Sequence, residues 1–391
     1  MKALLIVSLL AVAAVSLADK GKTWPAAAWP RSTPAAQGMD ASPLEALHAE
    51  LAAGQHGYVD SMLVVRNGHV VFDRTYRHDY AALFKGTDAE RGPYNYYDPD
   101  WHPYYKKTDL HTLQSASKSI TSVLVGIALQ RGELPGLDVE ARRYLTGFRT
   151  SSDPRQARIT LRHLLTMTSG IRWDETTVAY TDPANSCARM EASPDWVQFV
   201  LDQPMAEEPG KTFVYNSGVT QLIAEVLARA TRKNPADYAV QHLFRPLGIK
   251  KYYWKRTPTG LPDAEGGLYL SAGDLARVGY LFLNDGVWKG RRLVSEGWVA
   301  DSTQPHVVTV PGIAAARYGY QWWILPDATG ARYPAYMMSG YGGQHVFVVP
   351  ERALVAVFTG WNIYDKPGPS WRLLLDRLMA STKPPGGTVK P

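Results

Sequence analysis

The apolar and polar positions of this chain read as strands near both ends and helices between them. Residues 61–66 and 69–73 are apolar, β-rich runs separated by Asn67-Gly68. An Asn-Gly pair in that setting predicts a hairpin closed by a type I′ turn. Upstream, residues 24–38 are rich in Pro and Ala and read as an irregular arm, after which Asp40-Ala41-Ser42-Pro43 caps a helix running to about 53. Residues 80–105 are polar and aromatic without periodicity, which predicts a loop. From 115 to about 230 the spacing turns helical. Ile120, Val123, Leu124 and Ile127 fall on one stripe, with Gly132 as the C′ stop. Further helices are predicted over 161–165, 196–201 and 220–231, and another after the Gly266-Gly267 loop as far as 284. Past 318 the strands return, over 320–324, 344–349 and 354–359, with Pro350-Glu351-Arg352-Ala353 turning the last two. A helix over 370–380 closes the chain, and the Pro/Gly-rich end is expected to be disordered.

This order predicts an α/β (α+β) fold. One antiparallel sheet is built from both chain ends and flanked by helices (39–114 and 261–383), with a mainly helical subdomain over 115–260, an arm over 19–38 and a tail over 384–391. Without an alternating βαβ run, a doubly wound parallel sheet is excluded.

Composition adds bounds. The 391 residues, 45% hydrophobic and 20% charged, suit a globular protein of one large or two smaller domains. The net charge of +6 is spread without a long Lys/Arg run, so nothing points to nucleic acid as a partner. Lys2 precedes an apolar run over 3–17, and Ser16-Leu17-Ala18 offers small residues where a signal peptidase reads. That run of about fifteen residues falls short of the roughly twenty a membrane span needs. Residues 1–18 therefore read as a cleaved signal peptide, with the mature chain starting near Asp19, secreted or periplasmic, and with no later membrane span. Cys187 is the lone cysteine, which excludes an internal disulfide. No histidine-bearing motif stands near it to make it a nucleophile.

The chemistry centres on Ser115-Ala116-Ser117-Lys118. Residues three apart share a helix face, so the Ser115 hydroxyl and the Lys118 amine can meet. Serine attacks only when a base takes its proton, and a desolvated lysine can be that base. Neutral Lys118 near pH 7 requires a pKa about three units below its free value. The same spacing also arises by chance, and both residues have ordinary uses as an N-cap and a solvated flank.

Other blocks decide between these readings: Ile159-Thr160-Leu161-Arg162-His163-Leu164-Leu165-Thr166-Met167-Thr168-Ser169-Gly170, then Phe213-Val214-Tyr215-Asn216-Ser217-Gly218, then Gly266-Gly267-Leu268-Tyr269-Leu270-Ser271. Together with Ser115 and Lys118 they resemble the serine β-lactamase / DD-peptidase-like hydrolases, in particular the class C-like esterase branch, over about 61–357. The resemblance implies that fold and an acyl-enzyme on Ser115, with Lys118 as base. Tyr215 matches the tyrosine of the family's Tyr-x-Asn triplet and would relay a proton to the leaving group. Ser217 stands where the family has the amide and is taken as a substrate contact. By the same resemblance the amides of Ser115 and of Gly343 or Gln344 form the oxyanion hole.

The family's Lys/His-Thr/Ser-Gly strand is missing in plain form. The corresponding stretch is Met338-Ser339-Gly340-Tyr341-Gly342-Gly343-Gln344, without the cation that grips a β-lactam carboxylate. Trp173-Asp174-Glu175 and Tyr180-Thr181-Asp182 resemble the branch that includes 6-aminohexanoate-dimer hydrolases. This adds Trp173, Tyr180, Asp182 and, beside the glycines, Tyr341 as substrate-binding residues. The expected substrate is a small-molecule carboxylic ester or amide. The alternatives are a β-lactam or D-amino peptide hydrolase and a penicillin-binding sensor without turnover. There is no Gly-x-Ser-x-Gly elbow, no His-Glu-x-x-His and no phosphate loop, and neither a cofactor nor a metal is implied.

Overall fold

The computed structural model describes residues 21–83, 103–180, 182–309, 316–363 and 367–382. The expected signal segment, most of the 80–105 loop and the C-terminal tail lie outside the described residues. Strands β1 (Val59–Arg66) and β2 (His69–Thr75) form the expected hairpin. Asn67 and Gly68 take φ of 50° and 78°, the pair of positive values that a type I′ turn needs. Strands β3 (His111–Thr112) and β4 (Tyr253–Trp254) flank β5 (Leu268–Leu270) in a small sheet. Strands β6 (Val307–Val308), β7 (Arg317–Tyr318), β8 (Trp323–Leu325), β9 (Ala335–Gly340), β10 (Gln344–Val349) and β11 (Leu354–Gly360) complete the main sheet.

The main sheet has the order β2-β1-β11-β10-β9-β8-β7-β6 and is antiparallel throughout. The last strand lies beside the first, with Leu63 opposite Val357 and Val65 opposite Val355. The sheet built from both chain ends is therefore as expected. Two local expectations fail. The 80–105 segment opens as a short helix, Tyr80–Leu83, whose Tyr80 hydroxyl donates to buried Asp60 at 2.7 Å. The strand expected over 320–324 starts only at Trp323. Gln321 leaves the ladder with φ of 62° to clasp three helices: its N–H donates to Leu165 O at 3.1 Å, its carbonyl accepts from Ser119 Oγ at 2.6 Å, and its Nε2 donates to Thr220 Oγ1 at 3.0 Å.

The main helices are α1 (Ser42–Ala52), α2 (Ala116–Gln130), α3 (Leu161–Leu165), α4 (Ser186–Glu191), α5 (Trp196–Leu201), α6 (Ser217–Thr231), α7 (Ala272–Leu283), α8 (Glu296–Ser302) and α9 (Trp371–Ala380). Helix α6 starts at Ser217 rather than 220, because the Asn216 side chain caps it by accepting from Val219 N at 3.1 Å. Helix α7 lies against β10 and β11, and α1 packs on α9. Helix α2 is buried over 116–128, between β9 on one side and α6 on the other. A helix covered on both sides needs no polar face, which is why Ser117, Thr121 and Ser122 are buried with the stripe of Ile and Val. Among the described residues no helix is long and apolar enough to cross a membrane.

Candidate active site

The chain enters α2 through a strained turn. Gln114 has φ of 48°, a left-handed conformation that costs a non-glycine residue about 1–2 kcal/mol. The turn is held by Ser117 N donating to Gln114 O at 2.9 Å and by Gln114 Nε2 donating to Thr112 Oγ1 at 3.2 Å. Ser115 occupies the N-cap position but makes no capping bond with its side chain. Its Oγ accepts a hydrogen bond from Lys118 Nζ at 2.9 Å instead. Lys118 is only 1% exposed. Its ammonium also donates to the carbonyl of Glu265 at 2.9 Å and to Glu265 Oε2 at 3.0 Å, which uses all three of its donors.

Tyr215 arrives by pairing of two loops. Gly210 N donates to Thr168 O at 2.7 Å and Val214 N to Met167 O at 2.9 Å, so the segment before α6 runs along the end of α3. The Tyr215 ring stacks on Trp323 with centroids 6.0 Å apart and lies 5.2 Å from the Lys118 ammonium. The Ser115 hydroxyl lowers the Tyr215 phenol against the rise that burial causes, which places the two groups side by side. The three residues expected to act together are thus in one place.

Sequence reading missed the layer of carboxylates beneath them. Glu265 sits on the loop ahead of β5. That loop is pinned to α2 and α6 by Thr121 Oγ1 donating to Ala264 O at 3.0 Å and Ala264 N donating to Gln221 Oε1 at 3.2 Å. Glu175 accepts from Ser217 N and Ser217 Oγ, both at 2.8 Å, from Trp173 Nε1 at 2.5 Å and from Tyr180 OH at 3.3 Å. Ser217 is buried with its hydroxyl on Glu175, and Trp173 is buried with its indole on the same carboxylate and its ring edge-on to Phe199. Asp182 also turns to its own backbone, as its exposed carboxylate accepts from Ala184 N at 2.7 Å in an Asx turn. Tyr180 and Tyr341 face each other with ring centroids 5.3 Å apart. The only sequence signal for the carboxylates was that Glu175 and Glu265 each lie in or beside a recognised block.

The electrostatics overturn the neutral lysine. Burial pulls Lys118 down, but Tyr215, Glu265 and Glu175 outweigh it and hold the ammonium well above its ordinary value. Lys118 is therefore charged at rest. Burial likewise pushes the Glu265 carboxyl up, yet the Lys118 charge and hydrogen bonds from Glu191, Lys118 and Ser217 hold it below the usual range. Glu191 is held well above that range, first by burial and then by the charge of Glu265, so it keeps its proton. Burial raises Tyr215 as well, which leaves it a neutral phenol.

Strand β9 ends beside the serine. A Cβ on Gly340 would lie 2.1 Å from Leu113 O and 3.2 Å from Ala116 N, so backbone packs directly on the turn that carries Ser115. Gly343 N donates to Gly340 O at 3.2 Å, and Gln344 pairs with Gly340 while its side chain bonds both backbone groups of Gly360. These two residues build the β9–β10 turn, and Tyr341, next to Gly340, is the residue that follows the strand alongside Ser115. The strand holds no lysine or arginine. Opposite Ser339 lies His345, 3.2 Å from its hydroxyl, and burial pushes that imidazole down to about 4. Among the described residues, neither this strand nor His345 opposite it therefore carries a positive charge at neutral pH.

Cys187 Sγ and one carboxylate oxygen each of Glu191 and Glu265 lie within 4.8 Å of one another, a grouping a cation could enter. The Lys118 ammonium and the Glu191 proton already supply the positive charge there. Cys187 is buried, and burial with nearby Glu265 holds its thiol well above the usual value, which removes it as a nucleophile.

The family profile described as Beta-lactamase matches residues 44–362. A 6-aminohexanoate-dimer hydrolase from Paenarthrobacter ureafaciens is 27% identical over 271 residues, 64% of this chain and 65% of that protein, so the match spans just under two thirds of the relative's length. A penicillin-binding protein homologue from Pyrococcus abyssi, described as octameric, aligns with a TM-score of 0.63 and 19% identity, covering 88% of this chain and 78% of the other. A family VIII carboxylesterase aligns with a TM-score of 0.64 and 16% identity, covering 90% and 98%. At these identities the structural likeness shows the shared fold.

Proposed function

Since the chain belongs to the beta-lactamase family, we propose that it is a serine hydrolase that cleaves a carboxylic ester or amide through an acyl-enzyme on Ser115. The observation that carries this reading is the Ser115 Oγ held 2.9 Å from a buried Lys118 ammonium, with the Tyr215 ring 5.2 Å from that ammonium. Ser115 attacks the acyl carbon, and the developing oxyanion rests on the Ser115 amide and that of Tyr341, the residue the close packing of Gly340 brings beside it. Each such donor is typically worth about 10²–10³ in rate. Tyr215, neutral and in contact with the serine, passes a proton to the leaving group, and water then releases the acid. Tyr180 and Tyr341 wall the cleft with aromatic surface.

The missing cation at β9 favours a neutral acyl group over a β-lactam or a free peptide carboxylate, since nothing on that strand offsets the desolvation of an anion. The carboxylesterase and the dimer hydrolase support an ester or linear amide as substrate class. The N-terminal segment supports export to the periplasm or medium. The test is intact mass and turnover with a fluorophosphonate, a penicillin and a panel of p-nitrophenyl esters and anilides. Fluorophosphonate label on Ser115 with ester turnover is expected, and Ser115→Ala should abolish both while melting at the parent temperature. A stable penicilloyl adduct without ester turnover would replace this reading with a sensor.

A further inference from the structure

The buried side of the site holds more acid than serine chemistry alone requires. Glu265 touches Lys118 twice, through Oε2 at 3.0 Å and its carbonyl at 2.9 Å. Its other oxygen, Oε1, accepts from Cys187 Sγ at 3.7 Å, and a Glu191 carboxylate oxygen lies within 4.8 Å of the Glu265 carboxylate. Glu265 is 4% exposed and Lys118 1%, so their hydrogen bond is shielded from bulk water. A lysine that is already protonated cannot accept the Ser115 proton until it has given one up.

Resting on the reading of Ser115 as the nucleophile, we propose that Glu265 takes a proton from Lys118 as Ser115 attacks, which turns the charged lysine into the base for the serine hydroxyl. The Nζ–H bond aimed at Glu265 breaks and an Oε2–H bond forms. The freed lone pair on Nζ takes the Ser115 Oγ proton while Oγ bonds the acyl carbon. When the tetrahedral intermediate collapses, the leaving group departs with a proton drawn from Lys118 through Tyr215. Glu265 then returns its proton to Nζ, and no net charge enters or leaves the pocket.

In water this transfer is uphill by about six pKa units. Burial works against that gap, because desolvation disfavours the ammonium and the carboxylate alike, but in the resting site the attraction within the pair outweighs it and keeps both groups charged. The groups that face Glu265 are Lys118 on α2, Cys187 and Glu191 on α4, Glu175 and Tyr180 on the loop before it, Tyr215 ahead of α6, Asp263 on its own loop and Lys255 after β4. Burial and the charge of Glu265 hold Glu191 well above the usual carboxyl range, and Glu265 is the carboxylate in contact with Nζ. Glu265 reaches the substrate only through Lys118, so it is a positioning residue for the base.

The test follows the acylation burst of p-nitrophenyl butyrate against pH in the parent, Glu265→Gln, Glu265→Asp and Ser115→Ala proteins, each checked for folding by circular dichroism. The parent burst rate should stay nearly flat between about pH 6 and 8.5, because the proton moves within the pocket. Glu265→Gln should lose on the order of 10²-fold at pH 7. Its rate should then climb about tenfold per pH unit, because Lys118 must now lose its proton to solvent. Glu265→Asp keeps a carboxylate and should keep the flat profile at a reduced rate, and it decides the matter if the Gln variant does not fold. A Glu265→Gln profile of parental rate and shape, or a Glu265→Asp profile with the same climb, overturns the relay. An undiminished burst in Ser115→Ala overturns the underlying reading instead, whatever the Glu265 variants do.

Discussion

Gly340→Ala probes the contact between β9 and the nucleophile turn. Gly340 lies in ordinary extended backbone, so the substitution adds no dihedral strain and acts by sterics alone. The new methyl would sit 2.1 Å from Leu113 O, where contacts under 3.0 Å are essentially never seen. Leu113 O cannot swing aside, because it accepts from Ala116 N at 3.1 Å within the turn that carries Ser115. Gly340 is fixed too, as the register partner of Gln344. Relief therefore requires the strand end and the turn to separate by roughly 1 Å. That displacement opens the gap between the Ser115 amide and the backbone after Gly340, the two sides of the proposed oxyanion hole. A misplacement of that size costs about 10²-fold in rate, or ~2.7 kcal/mol of transition-state stabilisation. Overpacking should also lower stability by about 1–3 kcal/mol. The assay is kcat and KM on a p-nitrophenyl ester, with thermal melts run alongside. Gly297→Ala serves as control, since a Cβ there meets nothing within 4 Å. A folded Gly340→Ala protein with kcat within threefold of the parent would refute the reasoning.

Two further substitutions test the packing and the charge assignments. Gly126→Ala places a Cβ 2.3 Å from Trp298 Cδ1, so overpacking of about 1–3 kcal/mol should exceed the ~1 kcal/mol gained in helix propensity, and a melting temperature at or above the parent's contradicts this. The His345 imidazole titrates at about 4 in the fold and at about 6.5 in the unfolded chain. Between those values the unfolded chain holds a proton that the fold refuses, so stability falls as pH drops through the window and the effect vanishes above it. The full shift corresponds to about 3 kcal/mol, less what the partly exposed ring edge recovers from solvent. Urea unfolding at pH 4.5 and 7 should show His345→Gln losing less stability on acidification than the parent, and equal losses would exclude the assignment.

Much of the fold was legible because its determinants are local. The Asn67-Gly68 turn and the 3.6-residue stripe of α2 are each specified by neighbouring residues. Reading failed where a distant partner competes with local preference. Gln321 sits in an apolar run that reads as strand, yet bonds to Leu165, Ser119 and Thr220 pull its backbone out of the ladder. The bonds from Trp173 and Ser217 to Glu175 were not legible either, because Ser217 lies 42 residues from that carboxylate along the chain.

The Ser115–Lys118 pair shows the same division. Its proximity follows from sequence alone, since three residues on a helix span one face. The charge on Lys118 does not follow. It is set by the carboxylate of Glu265, 147 residues away along the chain and 3.0 Å away in space, together with Glu175. Coulomb energy and desolvation depend on distance and burial, and the chain acquires both only when the loop ahead of β5 packs onto α2. The residues of the nucleophile pair were thus determined by the sequence, and their protonation at rest by the tertiary structure.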